Sequence, residues 1–251
     1  RHRDLASLEA EAPFEGCLFA NEVLDAFPAH RVVGDADRPL EVHVDVEAGA
    51  LVERLLPIAD AETGDYLEVH DLRPEPGQEI DIQPAAARFV TRAARRLTRG
   101  WFVVVDYGYE AADLFHPARR RGTLLAYHRH RSHEAFLERP GGQDLTAHVD
   151  FTAVTRAAEA GGLVRAGLTS QARFLLALGA LDRFEEADLR GREAIKDLVL
   201  PDRMGGVFRV LVLASAGLAA PLRGLGEVRP PVPPAALPDS PGRPDRAVGI
   251  A

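Results

Sequence analysis

The strongest constraint in the sequence is an amphipathic stretch that leads directly into an apolar one. Between residues 79 and 99, apolar side chains recur at three- and four-residue spacing, which predicts one long helix. Pro84 is tolerated in the first turn of such a helix, and Gly100 can end it. Residues 101–105 are continuously apolar, as in a buried strand, and the polar pair Asp106-Tyr107 follows them. This succession predicts an α/β fold with a mainly parallel sheet.

A second apolar run, at residues 16–20, predicts another buried parallel strand. It contains Cys17, the sole cysteine, which we expect to be a buried packing residue rather than a nucleophile. A helix-like stretch is expected at 22–27, stopped by Pro28.

The sequence between these two strands predicts an inserted antiparallel unit at about 38–72. Residues 41–46 alternate apolar and polar side chains, 47–50 form a turn, and 51–58 can return as the partner strand. A third strand is expected at 66–69.

The second half of the chain continues the α/β pattern after a long irregular stretch. Residues 110–148 have no strong periodicity, and such a long loop is usually functional, so we interpret them as a second insertion. The remaining predictions are a helix at 151–160 capped by Asp150, a strand near 163–168, helices near 170–178 and 184–198, a strand at 207–213, and a flexible Pro-rich tail at 221–251. Residues 1–220 would then form one domain.

Bulk properties exclude several functional classes. A net charge of −8 argues against a protein that binds nucleic acid through phosphate contacts. No apolar run approaches the roughly 18 residues of a membrane span, and the start of the chain has no signal-peptide pattern. A single cysteine fits a reducing compartment, and the arginine-rich, lysine-poor composition suggests a bacterial chain. We therefore expect a soluble, cytoplasmic protein; the sequence does not indicate its oligomeric state.

Polar side chains follow both predicted parallel strands, where ligands of open α/β sheets bind. One group is Asn21, Glu22 and Asp25, and the other is centred on Asp106 and Tyr107. A helix cap or a turn would explain Asn21 or Asp106 singly. It would not explain a Glu and an Asp three positions apart, which a helical turn places on one side. We therefore favour Glu22 and Asp25 as functional carboxylates.

Other chemistries are less well supported. His128, His130 and His133 suggest a metal-dependent hydrolase, but no cysteine or closely spaced carboxylate completes a ligand set, so a surface-loop cluster is favoured and no metal is expected. The sequence has no G-x-S-x-G nucleophile elbow, no Walker loop and no G-x-G-x-x-G.

Six segments form a set of motifs in a fixed order along the chain: residues 20–28 (ANEVLDAFP), 105–109 (VDYGY), 122–124 (GTL), 140–151 (PGGQDLTAHVDF), 169–176 (TSQARFLL, matched in TSQ and FLL) and 204–211 (MGGVFRVL). Together they resemble the MidA-type methyltransferases, a family that includes a mitochondrial protein arginine methyltransferase. The resemblance covers about residues 2–213.

The resemblance implies a Rossmann-like class I methyltransferase sheet with S-adenosyl-L-methionine as cofactor. Residues 18–20 would be the fourth strand and 101–105 the fifth, so the N-terminal strands and their Gly-rich cofactor loop are expected to be missing from this segment, which alone may be inactive. Asp4 and Leu5 would flank the adenine, although Asp4 as a helix cap is an equally good interpretation. Asn21 would help to position the substrate or the cofactor.

The resemblance also implies a protein substrate, with arginine N-methylation as the reaction. Glu22 and Asp25 would orient the guanidinium, because carboxylates match its planar fork of donors. The side chains expected to line or support the substrate pocket are Asp106, Tyr107, Asp144, His148 and Asp150. The alternative is a non-catalytic binding or assembly factor on a methyltransferase-like scaffold.

Overall fold

A computed structural model describes residues 12–129, 131–218 and 222–226. Asp4, Leu5 and His130 lie outside the described residues, as does most of the tail expected at 221–251. Within that tail, Arg223–Leu225 form a 3₁₀ turn, and Leu225 packs on the core around Val210.

Twelve strands and eight helices are assigned in the described residues. The strands are β1 (Phe14–Asn21), β2 (His30–Val33), β3 (Leu40–Glu47), β4 (Ala50–Pro57), β5 (Glu79–Ile82), β6 (Leu97–Tyr109), β7 (Leu125–His128), β8 (Arg131–His133), β9 (Asp144–Thr146), β10 (Val149–Asp150), β11 (Leu163–Ser170) and β12 (Phe208–Ser215). The helices are α1 (Ala61–Val69), α2 (Pro84–Arg96), α3 (Ala111–Leu114), α4 (Phe151–Ala160), α5 (Gln171–Ala177), α6 (Ala180–Glu186), α7 (Leu189–Val199) and α8 (Met204–Val207).

The central sheet has the order β1-β6-β12-β11, and β10 extends it beside the end of β6. β1 and β10 run parallel to β6, whereas β12 runs antiparallel to both β6 and β11. The α/β class is confirmed, and of the five described strands of this sheet four run in the same direction, with β12 reversed. The carboxyl ends of β1, β6 and β11 therefore share one edge of the sheet, where Asn21, Tyr109 and Ser170 lie.

Both faces of the central sheet are covered by helices. On one face, α2 and α4 pack over β6 through a core that includes Val90, Phe102 and Phe151, all essentially inaccessible to solvent. On the other face, Val103 and Val210 belong to a smaller cluster, against which Phe174 of α5 packs. Alternate residues of β6 thus face opposite cores, as expected for a strand buried on both sides.

Two further sheets are present, and the first of them extends beyond the insertion predicted at about 38–72, because its strands β2 and β5 lie at 30–33 and 79–82. β4-β3-β2-β5 form an antiparallel sheet between β1 and β6, and β8-β7-β9 form a small one between β6 and β10. The hairpin at 41–58 is confirmed, and so is the helix at 151–160 with its Asp150 cap. Among the described residues, no helix is long and apolar enough to cross a membrane.

Several local predictions were wrong because a short sequence pattern was overridden by the structure that the neighbouring residues adopt. Residues 66–69 belong to helix α1, whose N-cap Asp60 accepts a hydrogen bond from the Thr63 amide, so they are not a strand. The helix predicted from 79 begins at Pro84, and Glu79–Ile82 is a strand, β5. The stretch 110–148 contains α3 and three short strands, and helix 184–198 is two helices broken at Asp188.

The strand at 16–20 is parallel as predicted but is not buried. Cys17 is exposed, and the ring of Phe19 is 66% exposed. Among the described strands β1 pairs only with β6, so its other edge has no neighbouring strand. The expectation that Cys17 is a buried packing residue is therefore wrong.

Candidate active site at the strand ends

The end of β1 carries two exposed polar side chains on an unusual backbone turn. The Asn21 amide donates to the Glu22 carboxylate over 3.3 Å, and both side chains are exposed. Glu22 has a φ of 50°, in the left-handed region that non-glycine residues rarely adopt. Its backbone amide donates to the Val105 carbonyl on β6 over 2.9 Å, which fixes this turn to the neighbouring strand. Such conformations cost about 1–3 kcal/mol and are concentrated at functional sites.

Asp25 is a buried carboxylate with one oxygen bound and one free. The Tyr107 hydroxyl donates to Oδ2 over 2.5 Å, whereas Oδ1 has no hydrogen-bond partner among the described residues. Asp25 is only 6% exposed. A buried carboxylate oxygen without a partner is unfavourable, so it marks a position where a ligand could donate.

The segment 22–27 is a series of bends and a turn, not a helix. The expectation that helical spacing places Glu22 and Asp25 on one face is therefore wrong. Glu22 is exposed and Asp25 is buried.

Asp106 fixes the backbone of the segment 22–27 through hydrogen bonds. Its Oδ2 accepts hydrogen bonds from the backbone amides of Val23, Leu24 and Asp25 at 3.0–3.4 Å. Its Oδ1 accepts from the Tyr107 amide at 3.0 Å. Burial, and secondly the charge of Asp25, raise the pKa of Asp106 to about 7. Asp106 thus supports the site instead of facing a substrate.

Gln83, which was not predicted from the sequence, binds the backbone carbonyls of the same segment. Its side-chain amide donates to the carbonyls of Leu24, Asp25 and Phe27 at 3.0–3.2 Å. Asp106 thus satisfies the amides of the turn, and Gln83 satisfies its carbonyls. The available signal was a glutamine between the alternating strand β5 and Pro84.

His148 connects the site to the second insertion. Its ring packs edge-on against Tyr107, with centroids 5.4 Å apart, and lies 5.5 Å from the Tyr109 ring. Its Nδ1 is buried without a partner among the described residues. Burial, and secondly the charge of Arg119, lower the pKa of His148, so the imidazole is neutral at pH 7.

Asp150 and Asp144 lie in different surroundings. Asp150 is buried, caps α4 through the amides of Thr152 and Ala153, and accepts from the Tyr66 hydroxyl over 3.3 Å. Its surroundings are those of a structural cap. Asp144 is exposed on β9. Asp150 also lies near the site, since it pairs with Tyr109 on β6 and lines a small cavity together with His148 and Gln83, whereas its carboxylate is occupied by the cap and by Tyr66.

Asp81 holds the Gly122-Thr123-Leu124 segment and was also missed from the sequence. Its Oδ2 accepts from the amides of Thr123 and Leu124. A Cβ on Gly122 would lie 2.1 Å from the same oxygen, so only glycine fits there. Thr123 in turn accepts from the His148 amide through its hydroxyl over 3.0 Å. The alternating sequence of β5, Glu-Ile-Asp-Ile, with an aspartate opposite the apolar face, was the available signal.

A cavity of about 410 Å³ lies between the antiparallel sheet and this segment. Its lining includes Arg31, Glu79, Asp81, Phe136 and His148. Because His148 packs against Tyr107, the cavity adjoins the strand ends.

The histidine cluster shows ordinary loop contacts. His128 Nδ1 lies 3.0 Å from the Gly142 carbonyl oxygen, and His133 Nδ1 accepts from the Ala135 amide over 3.2 Å. Within 12–129, 131–218 and 222–226, no three histidine, cysteine or acidic side chains are arranged to hold a metal ion.

Comparison with known proteins identifies the family. Residues 3–169 match the family described as "Putative S-adenosyl-L-methionine-dependent methyltransferase". The mitochondrial protein arginine methyltransferase NDUFAF7 of Mus musculus is 27% identical over 77% of this chain and 44% of its own length. Its Drosophila melanogaster homolog is 29% identical over 82% of this chain and 48% of its own length.

A solved structure gives the same result at the level of the fold. A COG1565 superfamily member from Burkholderia thailandensis, bound to S-adenosyl-homocysteine, superposes with a TM-score of 0.78 at 36% identity. The match covers 85% of this chain and 57% of that one. The chain spans about half the length of the curated relatives it matches. The chain belongs to the MidA-type family of S-adenosyl-L-methionine-dependent methyltransferases.

Proposed function

We propose that the chain takes part in S-adenosyl-L-methionine-dependent N-methylation of protein arginine, and that Asp25 and Glu22 orient the acceptor guanidinium. The observation that carries this proposal is the free Oδ1 of the buried Asp25 carboxylate at the end of a parallel strand. The relatives named as protein arginine methyltransferases support arginine as the acceptor.

A guanidinium requires carboxylates more than a strong base. It stays charged at accessible pH, and its donors match carboxylate oxygens in a planar fork. Asp25 is held by Tyr107, so its free oxygen has a fixed direction. Glu22, three positions earlier in the sequence, is exposed, so its carboxylate is accessible to an incoming chain. One buried and one exposed carboxylate can thus hold a guanidinium while leaving one nitrogen free to react.

The described residues fit part of a cofactor site. Asn21 is exposed at the carboxyl end of β1, where ligands of α/β sheets bind, and can donate to or accept from the methionyl portion. S-adenosyl-L-methionine, when bound, supplies a methyl group from a sulfonium.

The protein residues act mainly by positioning. The reacting guanidinium nitrogen gains a methyl group and must lose a proton. His148 is neutral near pH 7 and has a free Nδ1, which makes it the candidate to accept that proton, directly or through water. The rings of Tyr107 and Tyr109, on which it packs, hold the imidazole in place.

Methyl transfer from radiolabelled S-adenosyl-L-methionine to arginine peptides tests the proposal, with this chain and with the product of the complete reading frame. Glu22→Gln and Asp25→Asn should each lower kcat/KM by at least about tenfold, since each removes a charge from the guanidinium clamp. The unfolding curve should be unchanged for the exposed Glu22, whereas for Asp25, which is buried and bound to Tyr107, unfolding is measured in parallel so that a loss of stability is separated from a loss of activity. Glu159→Gln, on the exposed surface of α4, is the control. Full activity of Glu22→Gln would refute the clamp.

The competing proposal, a non-catalytic assembly factor, makes a different prediction. It requires that the complete product neither binds S-adenosyl-homocysteine in calorimetry nor transfers methyl groups. The cytoplasmic location is a separate prediction, which fractionation of the native cells would test.

A further inference from the structure

The β3–β4 hairpin has two chemically different faces. The pairing of Val44 with Glu53 and of Val46 with Leu51 places these four side chains on one face. The opposite face carries Asp45, whose carboxylate accepts from Arg54 over 2.9 Å, so its charge is already paired. On the first face, Glu53 is paired with Arg31, and the other three of these side chains, Val44, Val46 and Leu51, are apolar.

This first face is strongly exposed. Val44, Val46 and Leu55 are 56%, 64% and 52% exposed, respectively. Leu55 pairs with Val42 and so lies on the same side of the hairpin. Contiguous exposed apolar side chains on a two-stranded ribbon are costly in water and commonly mark an interaction surface.

A loop faces the hairpin and encloses a groove with it. An open cavity of about 610 Å³ is lined by Leu51 and Glu53 from the hairpin and by Phe136, Leu137 and Glu138 from the loop. We call this space the hairpin groove. Its acidic lining residues are Glu53, Glu134 and Glu138, and no basic residue is among the described residues that line it. Glu53 is paired with Arg31 and Glu134 with Arg121 over 2.7 Å, whereas Glu138 has no ion pair within the described residues.

The hairpin groove continues into the cavity beside the strand ends. Both spaces share Glu53, Glu134 and Phe136 as lining residues. The inner cavity extends to His148, which contacts Tyr107, the hydrogen-bond donor to Asp25. A peptide bound in the groove would therefore extend toward Asp25, the carboxylate proposed to bind the guanidinium of the acceptor.

The inner cavity already shows how a guanidinium is accommodated there. Arg31 lies 5.0 Å from the centroid of the Phe136 ring and donates to Glu53 over 2.5 Å and to Glu79 over 3.2 Å. Aromatic faces and carboxylates together are the usual partners of arginine. Glu138, further out, makes no ion pair within the described residues.

We propose that the hairpin groove docks the extended segment of the protein acceptor that flanks the methylated arginine, a segment that is basic and carries apolar side chains. One basic residue of this segment pairs with Glu138, and another replaces Arg121 at Glu134, because an ion pair between two exposed side chains is weak and can exchange. The apolar residues of the segment cover Val44, Val46 and Leu55. Charge complementarity and the continuity with the cavity at His148 select this occupant over others. The proposal rests on the proposed function for the identity of the acceptor.

The experiment uses a fluorescein-labelled peptide, Gly-Leu-Arg-Val-Arg-Leu-Gly, whose binding to this chain is followed by anisotropy. The same peptide with both arginines replaced by glutamate is the control ligand. We expect binding of the arginine peptide only, weakened by 0.5 M salt because exposed ion pairs are screened.

Two double variants and one single variant test where the peptide binds. Val46→Ser/Leu55→Ser should weaken binding at least about fivefold through loss of apolar contact, and Glu134→Gln/Glu138→Gln should do the same through loss of charge. Val69→Ser, equally exposed on α1 but outside the groove, should not change it. Since the replaced side chains are exposed, the variants should unfold like the wild type.

The possible results distinguish the docking surface from the proposed function. If the complete product methylates this peptide, the groove variants should raise KM and leave kcat unchanged. Methylation with unchanged KM and unchanged binding in both groove variants would overturn the docking surface and leave the proposed function intact. Groove-dependent binding without methylation of any arginine would support the docking surface and refute the proposed function. Light scattering that shows a dimer dissociated by Val46→Ser/Leu55→Ser would also overturn the proposal, because a second copy would then occupy the face.

Discussion

The Tyr107 hydroxyl lies 2.5 Å from Oδ2 of Asp25, while Oδ1 of the same buried carboxylate has no partner within the described residues. The two residues are adjacent in space because β1 and β6 are parallel neighbours that end at the same edge of the sheet. One hydrogen bond therefore orients the carboxylate, and the remaining oxygen is left for a ligand.

Removal of the Tyr107 hydroxyl should disorder Asp25 without unfolding the protein. Tyr107→Phe leaves both oxygens of a buried carboxylate without side-chain donors, which costs about 1–3 kcal/mol of folding free energy. We expect methyl transfer to fall by about one to two orders of magnitude in kcat, measured beside denaturant unfolding. The matched control is Tyr109→Phe, whose hydroxyl makes no hydrogen bond within the described part of the chain. Equal activities of the two variants would show that the Tyr107 hydroxyl has no positioning role.

Asp106 should make the protein less stable as the pH rises toward neutrality. Its pKa is raised from 3.8 to about 7 in the folded state, so between these values the folded protein binds more protons than the unfolded chain. The stabilisation is present below about pH 4 and lost as the pH rises through 7, and the shift corresponds to on the order of 4 kcal/mol.

The comparison with Asp106→Asn isolates this contribution. The variant has no carboxyl proton to lose, so its free energy of unfolding should fall less than that of the wild type between pH 5 and 8. Asp81 and Asp150, whose pKa values burial also raises, contribute to both proteins and cancel in the difference. Carboxyl-carbon NMR should give a midpoint near 7 for Asp106. A midpoint near 4 would contradict the assignment.

Periodicity predicted most of the central sheet because its strands and helices carry their own apolar patterns. The run at 101–105 is found inside β6, and the helix at 151–160 has the predicted bounds and cap. The predictions failed where a four-residue pattern fits two structures. Glu79–Ile82 alternates like a strand and also continues the apolar spacing of α2, and only its pairing with β2 decides between them.

Part of the candidate site was also predictable, because some of its residues lie in local sequence patterns. Polar residues after apolar strands identified Asn21, Glu22, Asp25, Asp106 and Tyr107 as neighbours. Whether each of these side chains binds the backbone or faces a ligand depends on the direction in which it points. The sequence shows two acidic residues at 25 and 106, but only the fold shows that one carboxylate faces backbone amides and the other has a free oxygen. Gln83 and Asp81 act through contacts more than 40 residues away along the chain, which local patterns do not reveal.

Gly122→Ala should loosen the loop that holds His148. The new methyl group would overlap Oδ2 of Asp81, and because this carboxylate is buried and bound to two amides, it cannot move away cheaply. We expect a loss of about 1–3 kcal/mol of unfolding free energy, typical of overpacking, and faster hydrogen exchange at Thr123 and Leu124. Gly64→Ala, in helix α1 with open space around its Cβ, is the control and should be neutral or stabilising by about 0.5–1 kcal/mol. Equal stability of the two variants would rule out the close contact at Gly122.

Cys17 should react with thiol reagents in the folded chain. It lies on β1, whose second edge has no partner among the described strands, and its side chain is exposed. We expect 5,5′-dithiobis-(2-nitrobenzoic acid) to label it in native buffer at a rate within about tenfold of that in denaturant, because the reaction of an ordinary exposed thiol is limited by its thiolate fraction. Cys17→Ser, which should release no chromophore, gives the background. A native rate that is lower by several orders of magnitude would mean that this edge of the sheet is covered in solution, as the apolar sequence of the strand predicts.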